Sequence, residues 1–289
     1  MSTLPYPVID AHAHIMPMRL IKPGPLAEWR KTYGDRLGEI REILENPKRL
    51  LEHLDREGIE KVVCINYIAR DLFGFTDEVH DYVVNLCAYA PDRLLPCGGV
   101  DAVYSTDLAR DAADLVHRRK MRLLKVHGPH QCFAPNDYLR DKPMLAKVYA
   151  IAEEAGVPVM FHTGTSIFPG ARSKYGHPMA LDDLAIDFPK LKIIMAHGGR
   201  PLWMAEAFFL IRRHENVYMD ISGIPPKKLL EYFPRIEEIA DKTLFGSDWP
   251  SPGIPGMAVN VKQLCQLPLP EETKRKLLYD TAQRLLFSW

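Results

Sequence analysis

Eight short apolar runs, each followed by a stretch of helical character, constrain this chain more than any other feature of its sequence. They are Pro7–Ile15, Lys61–Tyr67 (KVVCINY), Leu94–Val100, Arg122–His127 (RLLKVH), Val157–His162 (VPVMFH), Lys192–His197 (KIIMAH), Val217–Ser222 (VYMDIS) and Thr243–Asp248 (TLFGSD). Their near-continuous apolar and β-branched composition fits strands buried on both faces, as in a parallel sheet. Amphipathic segments separate them. Pro47–Glu57 is capped by Asn46, carries Pro in its first turn and stops at Gly58. Asp77–Ala90, Ser105–Arg119, Lys142–Ala155 and Pro201–Arg213 follow the same pattern. This alternation predicts βα units. The expected fold is an α/β TIM (β/α)8 barrel, which takes about 250 residues, as a single domain over the 289 present. An open doubly wound sheet is the alternative, though it ordinarily has fewer strands or a longer chain.

Two segments depart from the repeat. Residues 16–44 (Met16–Leu44) are long and mixed, and are expected to form a loop or short helical lid over the barrel mouth. Glu271–Phe287 reads as an amphipathic helix that closes the barrel wall.

Charge and cysteine content narrow the function classes. Lys plus Arg and Asp plus Glu both number 37, so nothing points to nucleic acid or a membrane surface as partner. Residues 1–15 lack the features of a signal peptide. No run approaches the ~20 apolar residues of a membrane span. The five cysteines (Cys64, Cys87, Cys97, Cys132, Cys265) are scattered without a C-x-x-C, which predicts a reduced, cytoplasmic protein. Cys64 and Cys97 fall in apolar runs and are expected to pack as small hydrophobes. The expected partner is a small-molecule substrate. Pro201–Phe209 is a candidate homodimer face, with packing on the barrel as the simpler reading.

Most of the runs begin apolar and finish on a polar side chain. His12 and His14 end the first, His127 the fourth with Lys125 two residues before it, His162 the fifth and His197 the sixth. Asp220 and Ser222 end the seventh, and Asp248 ends the eighth. In a TIM barrel the C-terminal strand ends open on one face, so these residues should converge. Strand side chains alternate faces, which puts His12 and His14 on the same side, where two imidazoles can share one ion. His162 and Asp248 would supply further ligands from across the barrel. A His and carboxylate set suits Zn²⁺, the expected metal, and also Mn²⁺, Fe²⁺ or Ni²⁺. A lone strand-end histidine is ordinarily a packing residue; several that converge, with a carboxylate, point to a metal. His53, His80, His117, His130 and His214 fall in helices or loops and read as solvated or packing residues.

The motifs I-D-A-H-A-H (Ile9–His14), F-H-T-G (Phe161–Gly164), A-H-G-G (Ala196–Gly199) and F-G-S-D-W-P (Phe245–Pro250), in this order and each at a strand end, resemble the amidohydrolase-related branch of the amidohydrolase superfamily. That branch includes aminocarboxymuconate-semialdehyde decarboxylase, resorcylate-type decarboxylases and assorted hydrolases. The resemblance extends to the closing segment K-L-L-Y-D-T-A-Q-R-L-L. It implies that His12, His14, His162 and Asp248 bind the metal and that His197 is a catalytic histidine beside it. It also implies that Asp248 accepts a proton from water in hydrolytic members. Binuclear members of the wider superfamily carry a carboxylated lysine on strand four. Lys125 falls on that strand, but one metal is the favoured expectation, with Lys125 or His127 then contacting substrate. Otherwise Lys125 should pair with an inward carboxylate such as Asp10 or Asp220, since a buried unpaired lysine is costly.

Two reactions use these residues. In the leading reading, a metal-dependent hydrolase, activated water attacks the carbonyl of an ester, lactone or amide. In the alternative, an aromatic or unsaturated carboxylic acid loses CO₂ without oxidation. That reaction needs a cation for the carboxylate, for which Arg200, Arg70 and Arg172 are candidates. Trp249 is a candidate wall of the pocket. A catalytically silent metal-binding barrel is the remote third reading.

Overall fold

A computed structural model describes residues 6–288. Each of the eight runs forms a strand: β1 Ile9–Ala13, β2 Lys61–Cys64, β3 Leu94–Gly98, β4 Leu123–Val126, β5 Val159–His162, β6 Ile193–Ala196, β7 Val217–Asp220 and β8 Thr243–Leu244. They lie in one sheet in chain order, and every neighbouring pair is parallel. Three hydrogen bonds cross the seam from the eighth run to β1: Ala11 N to Phe245 O at 2.9 Å, Asp248 N to His12 O at 2.8 Å and His14 N to Trp249 O at 2.7 Å. The fold is the TIM barrel that the alternation predicts. Its strands are buried along almost their whole length, as the absence of polar alternation requires.

The eighth strand is shorter than its sequence suggests, for two local reasons. The Ser247 amide donates to the Asp10 carboxylate at 2.9 Å rather than to a backbone carbonyl. Asp248 then adopts a left-handed backbone with φ of 66°. The chain thus leaves the ladder where its polar residues begin.

Helix Pro47–Glu57 starts and stops where the sequence signals it. Asn46 Oδ1 accepts from Lys48 N at 3.0 Å, and Gly58 takes φ 72°. Other boundaries shift. The expected helix at Ser105 begins at Leu108 because Asp107 caps it, accepting from Arg110 N at 3.1 Å. The expected helices from Lys142 and Pro201 begin at Leu145 and Met204. Along Pro201–Phe209, Ala207 is buried while Leu202 and Phe209 stay exposed. The closing segment is a helix at Glu271–Arg275 that continues through two wide turns, Lys276–Asp280 and Gln283–Phe287. It is tied to the barrel by Phe245 N donating to Leu277 O at 2.8 Å.

Residues 16–44 fold mainly as helix Pro23–Tyr33 and the first eight residues of helix Leu37–Glu45. The second buries Ile40, Ile43 and Leu44, a 3–4 spaced apolar stripe. Trp29 and Tyr33 reach over the barrel end and both donate to Pro250 O, at 3.0 and 3.2 Å. The Trp29 ring stacks on Phe168 from the loop after β5. No helix among the described residues is long and apolar enough to cross a membrane. Cys64 and Cys97 are buried, as their apolar context predicts.

Candidate metal centre

At the C-terminal end of the barrel the strand-end residues meet around two carboxylates. Asp220, at the end of β7, is fully buried. Its Oδ2 lies 2.8 Å from His12 Nδ1. Its Oδ1 accepts from Ser222 N at 2.9 Å and His197 N at 3.2 Å, and the Ser222 hydroxyl donates to it as well. Burial would raise the Asp220 carboxyl, yet the pairing with His12 and these hydrogen bonds hold it below the usual carboxylate range. An ionised Asp220 accepts the Nδ1 proton of His12 and leaves the lone pair of Nε2 pointing the other way.

Asp248 is the second carboxylate. Its Oδ1 is 3.1 Å from His14 Nε2, 3.8 Å from His12 Nε2 and 3.2 Å from the Ser251 hydroxyl, which donates to it. Burial opposes its ionisation, but His14, His12 and Arg200 outweigh that and keep the carboxyl well below its ordinary value. The opposite holds for the imidazoles. Burial, reinforced by the nearby Lys125 charge, pulls His12 down to about 4. His162 and His197 fall well below the usual histidine range, chiefly by burial. His12, His162 and His197 are thus held neutral beside an anionic carboxylate, as metal ligation requires of such groups.

Two triads of donor atoms lie within 4.8 Å of one another: His12, His14 and Asp248, and His12, His197 and Asp220. They are not equivalent. The second is consumed by its own hydrogen bonds, His12 Nδ1 to Asp220 and His197 Nδ1 to Ser222 O at 2.9 Å. In the first, His12 Nε2 is buried and without a hydrogen bond among the described residues, the kind of orphaned lone pair a cation satisfies. His162 sits to one side, its Nε2 3.3 Å from Thr165 O and its ring 4.6 Å from that of His197. Close backbone passage makes the arrangement possible. A Cβ on Gly246 would stand 2.6 Å from the His12 Cβ, so only glycine lets the eighth run lie against β1 here. His197 and Asp248 are both non-glycine residues at φ 66°, a conformation that costs about 1 kcal/mol and is concentrated at functional sites.

A cavity of about 420 Å³ opens above the cluster, lined by His14, His162, His197 and Asp248 and walled by Trp29, Tyr67, Phe73 and Phe168. Of the residues expected to meet substrate, His127 and Arg200 line it, while Lys125 and Trp249 do not. Trp249 instead stacks on His53, ring centroids 4.5 Å apart. Lys125 is fully buried in the barrel, and its ammonium makes no hydrogen bond or ion pair with Asp10 or Asp220. Burial lowers it to about 8. Arg70 pairs with Asp101 away from the cavity and Arg172 is exposed, so Arg200 alone of the three candidate arginines faces it. Its Nη2 is 3.8 Å from Asp248 Oδ2 and its Nε is buried without a hydrogen-bond partner among the described residues. The guanidinium lies against Gly223, where a Cβ would come within 2.4 Å of it.

His130 is a correction. The sequence places it outside the strands as a solvated or packing histidine, but it lines the cavity. It stacks on His127 with centroids 3.4 Å apart, and its two nitrogens bond the Tyr67 hydroxyl at 2.9 Å and the Ser166 hydroxyl at 2.8 Å. It stands on a single helical turn, Gly128–Gln131, after β4. Its spacing of three from His127 was the one available signal.

Comparison with known proteins agrees with this architecture. No curated protein matches the chain. Among solved structures, an uncharacterised TIM-barrel protein from Bordetella bronchiseptica is similar at 21% identity, covering 98% of this chain and 99% of that one, with a TM-score of 0.78. A 5-carboxyvanillate decarboxylase from Sphingomonas paucimobilis is similar at 16% identity, 97% and 99% coverage and a TM-score of 0.67. A dihydroxybenzoic acid decarboxylase from a Polaromonas species, with bound manganese and 2-nitroresorcinol, is similar at 19% identity, 97% coverage of both chains and a TM-score of 0.66. The family model described as amidohydrolase matches residues 9–287, nearly the whole chain, from the first strand-end motif to the closing helix. The chain belongs to the amidohydrolase family.

Proposed function

We propose that this protein is a metal-dependent enzyme that removes CO₂, without oxidation, from a small aromatic or unsaturated carboxylic acid. The observation that carries the reading is Arg200. It places a cation with an unpartnered buried Nε at a cavity walled by aromatic rings, beside Asp248. A carboxylate-bearing planar substrate satisfies both the charge and the walls. The relatives described above that carry out decarboxylation support the same choice over hydrolysis, the reaction the sequence alone favours.

One divalent ion would be held by His12, His14, His162 and Asp248. Three imidazoles and a carboxylate suit Mn²⁺ as well as Zn²⁺. When bound, such an ion polarises an oxygen of the substrate as a Lewis acid. The protein's own groups do the rest. Arg200 receives the substrate carboxylate through charge-assisted hydrogen bonds. Asp248 and His197 begin the cycle without a proton, so the first transfer is from a substrate hydroxyl to one of them. Asp248, closest to the His12 and His14 pair, takes that role. It returns the proton to the ring carbon bearing the carboxylate. The carbon–carbon bond then breaks, CO₂ leaves, and its bonding electron pair restores the ring. His197, anchored through Nδ1 to Ser222 O and lining the cavity, would orient the substrate.

Hydrolysis is the second reading, favoured by one observation: an ionised, buried Asp248 is also the base that activating a water requires. The experiment that separates the two supplies the metal-loaded protein with hydroxybenzoic acids and with aryl esters and lactones. CO₂ released from an acid, and lost on chelation, supports decarboxylation. Acid released from an ester or lactone, with no CO₂ from any acid, overturns it.

A further inference from the structure

Helix Met257–Cys265 follows the eighth run and buries one stripe: Met257, Asn260, Val261 and Leu264. An apolar residue is the ordinary occupant of such a stripe. Asn260 breaks it, and asparagine is also a weak helix former. Only 6% of Asn260 is exposed, yet its carboxamide has no hydrogen-bond partner among the described residues. Gln263, one turn on, stands on the same face and likewise makes no side-chain hydrogen bond. Both line the cavity above the metal centre, along with Pro225 and Pro226 from the loop after β7 and Pro252 and Pro255 from the loop after the eighth run.

A carboxamide offers two donors and an acceptor, and here neither carboxamide is spent on a protein partner among the described residues, so both are free to meet a group in the cavity. Two of them lining one cavity, beside apolar loop walls, make a recognition surface for a neutral group that both donates and accepts. Bringing an acceptor as well as donors, and no charge, they suit a neutral group better than an anion. We propose that Asn260 and Gln263 form a second substrate subsite, which binds an uncharged hydrogen-bonding substituent, an amide or hydroxyl, remote from the reacting carboxylate. The proposal deepens the substrate class and rests on the reading that this cavity binds the substrate. It makes the substrate bifunctional, with a carboxylate at Arg200 and a polar neutral group at the helix.

Calorimetric titration of the purified, metal-loaded protein tests this with simple probes: benzoate, 3- and 4-carbamoylbenzoate, benzamide and its 3- and 4-carbamoyl derivatives. The expected result is that one carbamoylbenzoate binds about tenfold more tightly than benzoate, the size of one net hydrogen bond. That preference should vanish in Asn260→Leu, which keeps the side-chain volume, while benzoate affinity is unchanged. Gln263→Leu, at a half-buried position, gives the same readout should Asn260→Leu fail to fold by circular dichroism. A wild-type protein indifferent to the carbamoyl group, a preference retained in both variants, or no binding of any probe overturns the subsite. If the benzamides bind as tightly as the acids, the carboxylate reading fails instead, and the subsite is judged on the neutral pair.

Discussion

His12 Nδ1 lies 2.8 Å from Asp220 Oδ2 and 3.1 Å from the Ser222 hydroxyl, and the ionised carboxylate there leaves Nε2 as the nitrogen of His12 free to bind a cation. With Asp220 ionised, Nδ1 keeps its proton and Nε2 faces His14 and Asp248. Asp220 thus works through His12, holding its tautomer and ring angle. Asp220→Asn should keep the barrel folded and lower metal affinity by about 10–100-fold, the usual cost of losing such a partner. Competition with a metal chelator measures this directly. Unaltered affinity would detach Asp220 from the metal site.

Arg200 leads to a kinetic prediction. Arg200→Gln removes the charge but retains a hydrogen-bonding group, and should raise KM for the acid substrate at least tenfold. Arg200→Lys should rescue it only in part, because an ammonium lacks the planar fork that grips a carboxylate. Gly223→Ala should copy the Arg200→Gln defect without touching the charge, since its Cβ would displace the guanidinium. The check is KM for CO₂ release in the three variants.

Lys125 makes a stability prediction of the opposite sign to most substitutions. It is fully buried, and its ammonium has no hydrogen-bond partner among the described residues. Lys125→Met preserves the stem and removes the polar head, and should raise the stability of the metal-free protein by about 1–2 kcal/mol. Thermal unfolding after chelation reads it. An unchanged or lower Tm would mean the amine is satisfied in solution.

The site and the fold were legible to different depths. His12, His14, His162, His197 and Asp248 could be placed because each sits at a strand end, and the strand period with parallel topology carries every such residue to one face. Asp220 was visible as a strand end, but its task was not, because tautomer control depends on the ring to which it bonds. His130, Asn260 and Gln263 stand on a helical turn and a helix beyond the strands, whose direction no repeat dictates. Lys125 and Trp249 show the converse. A place on strand four for Lys125, and one beside Asp248 for Trp249, point to the cavity in the sequence, but Lys125 is enclosed in the barrel and Trp249 turns toward His53.

His80 predicts a pH dependence of stability. It is buried on helix Glu78–Cys87, and its Nε2 accepts from Gly99 N at 3.2 Å, which requires the neutral ring. Burial, with the Arg119 charge added, lowers it to about 4 against Asp77 and Asp81, which pull the other way. The stabilising contribution of the neutral ring is complete above the unfolded value of 6.5. It is lost as pH falls from 6.5 towards 4, where the unfolded chain takes up a proton the folded one resists. Between pH 7 and 5 the wild type should therefore lose about 2 kcal/mol more than His80→Gln. Denaturant unfolding at the two pH values checks this, and parallel losses would contradict it.

The central claim is that the His12, His14 and Asp248 cluster binds a metal on which activity depends. The most direct measurement is elemental analysis of the purified protein and of His12→Ala, with CO₂ release from hydroxybenzoic acids assayed before and after chelation. About one transition-metal ion per wild-type chain is expected, with CO₂ release lost on chelation and restored by Mn²⁺ or Zn²⁺, and a folded His12→Ala protein lacking both metal and activity. Normal metal content in His12→Ala, or wild-type activity that survives chelation, would contradict it.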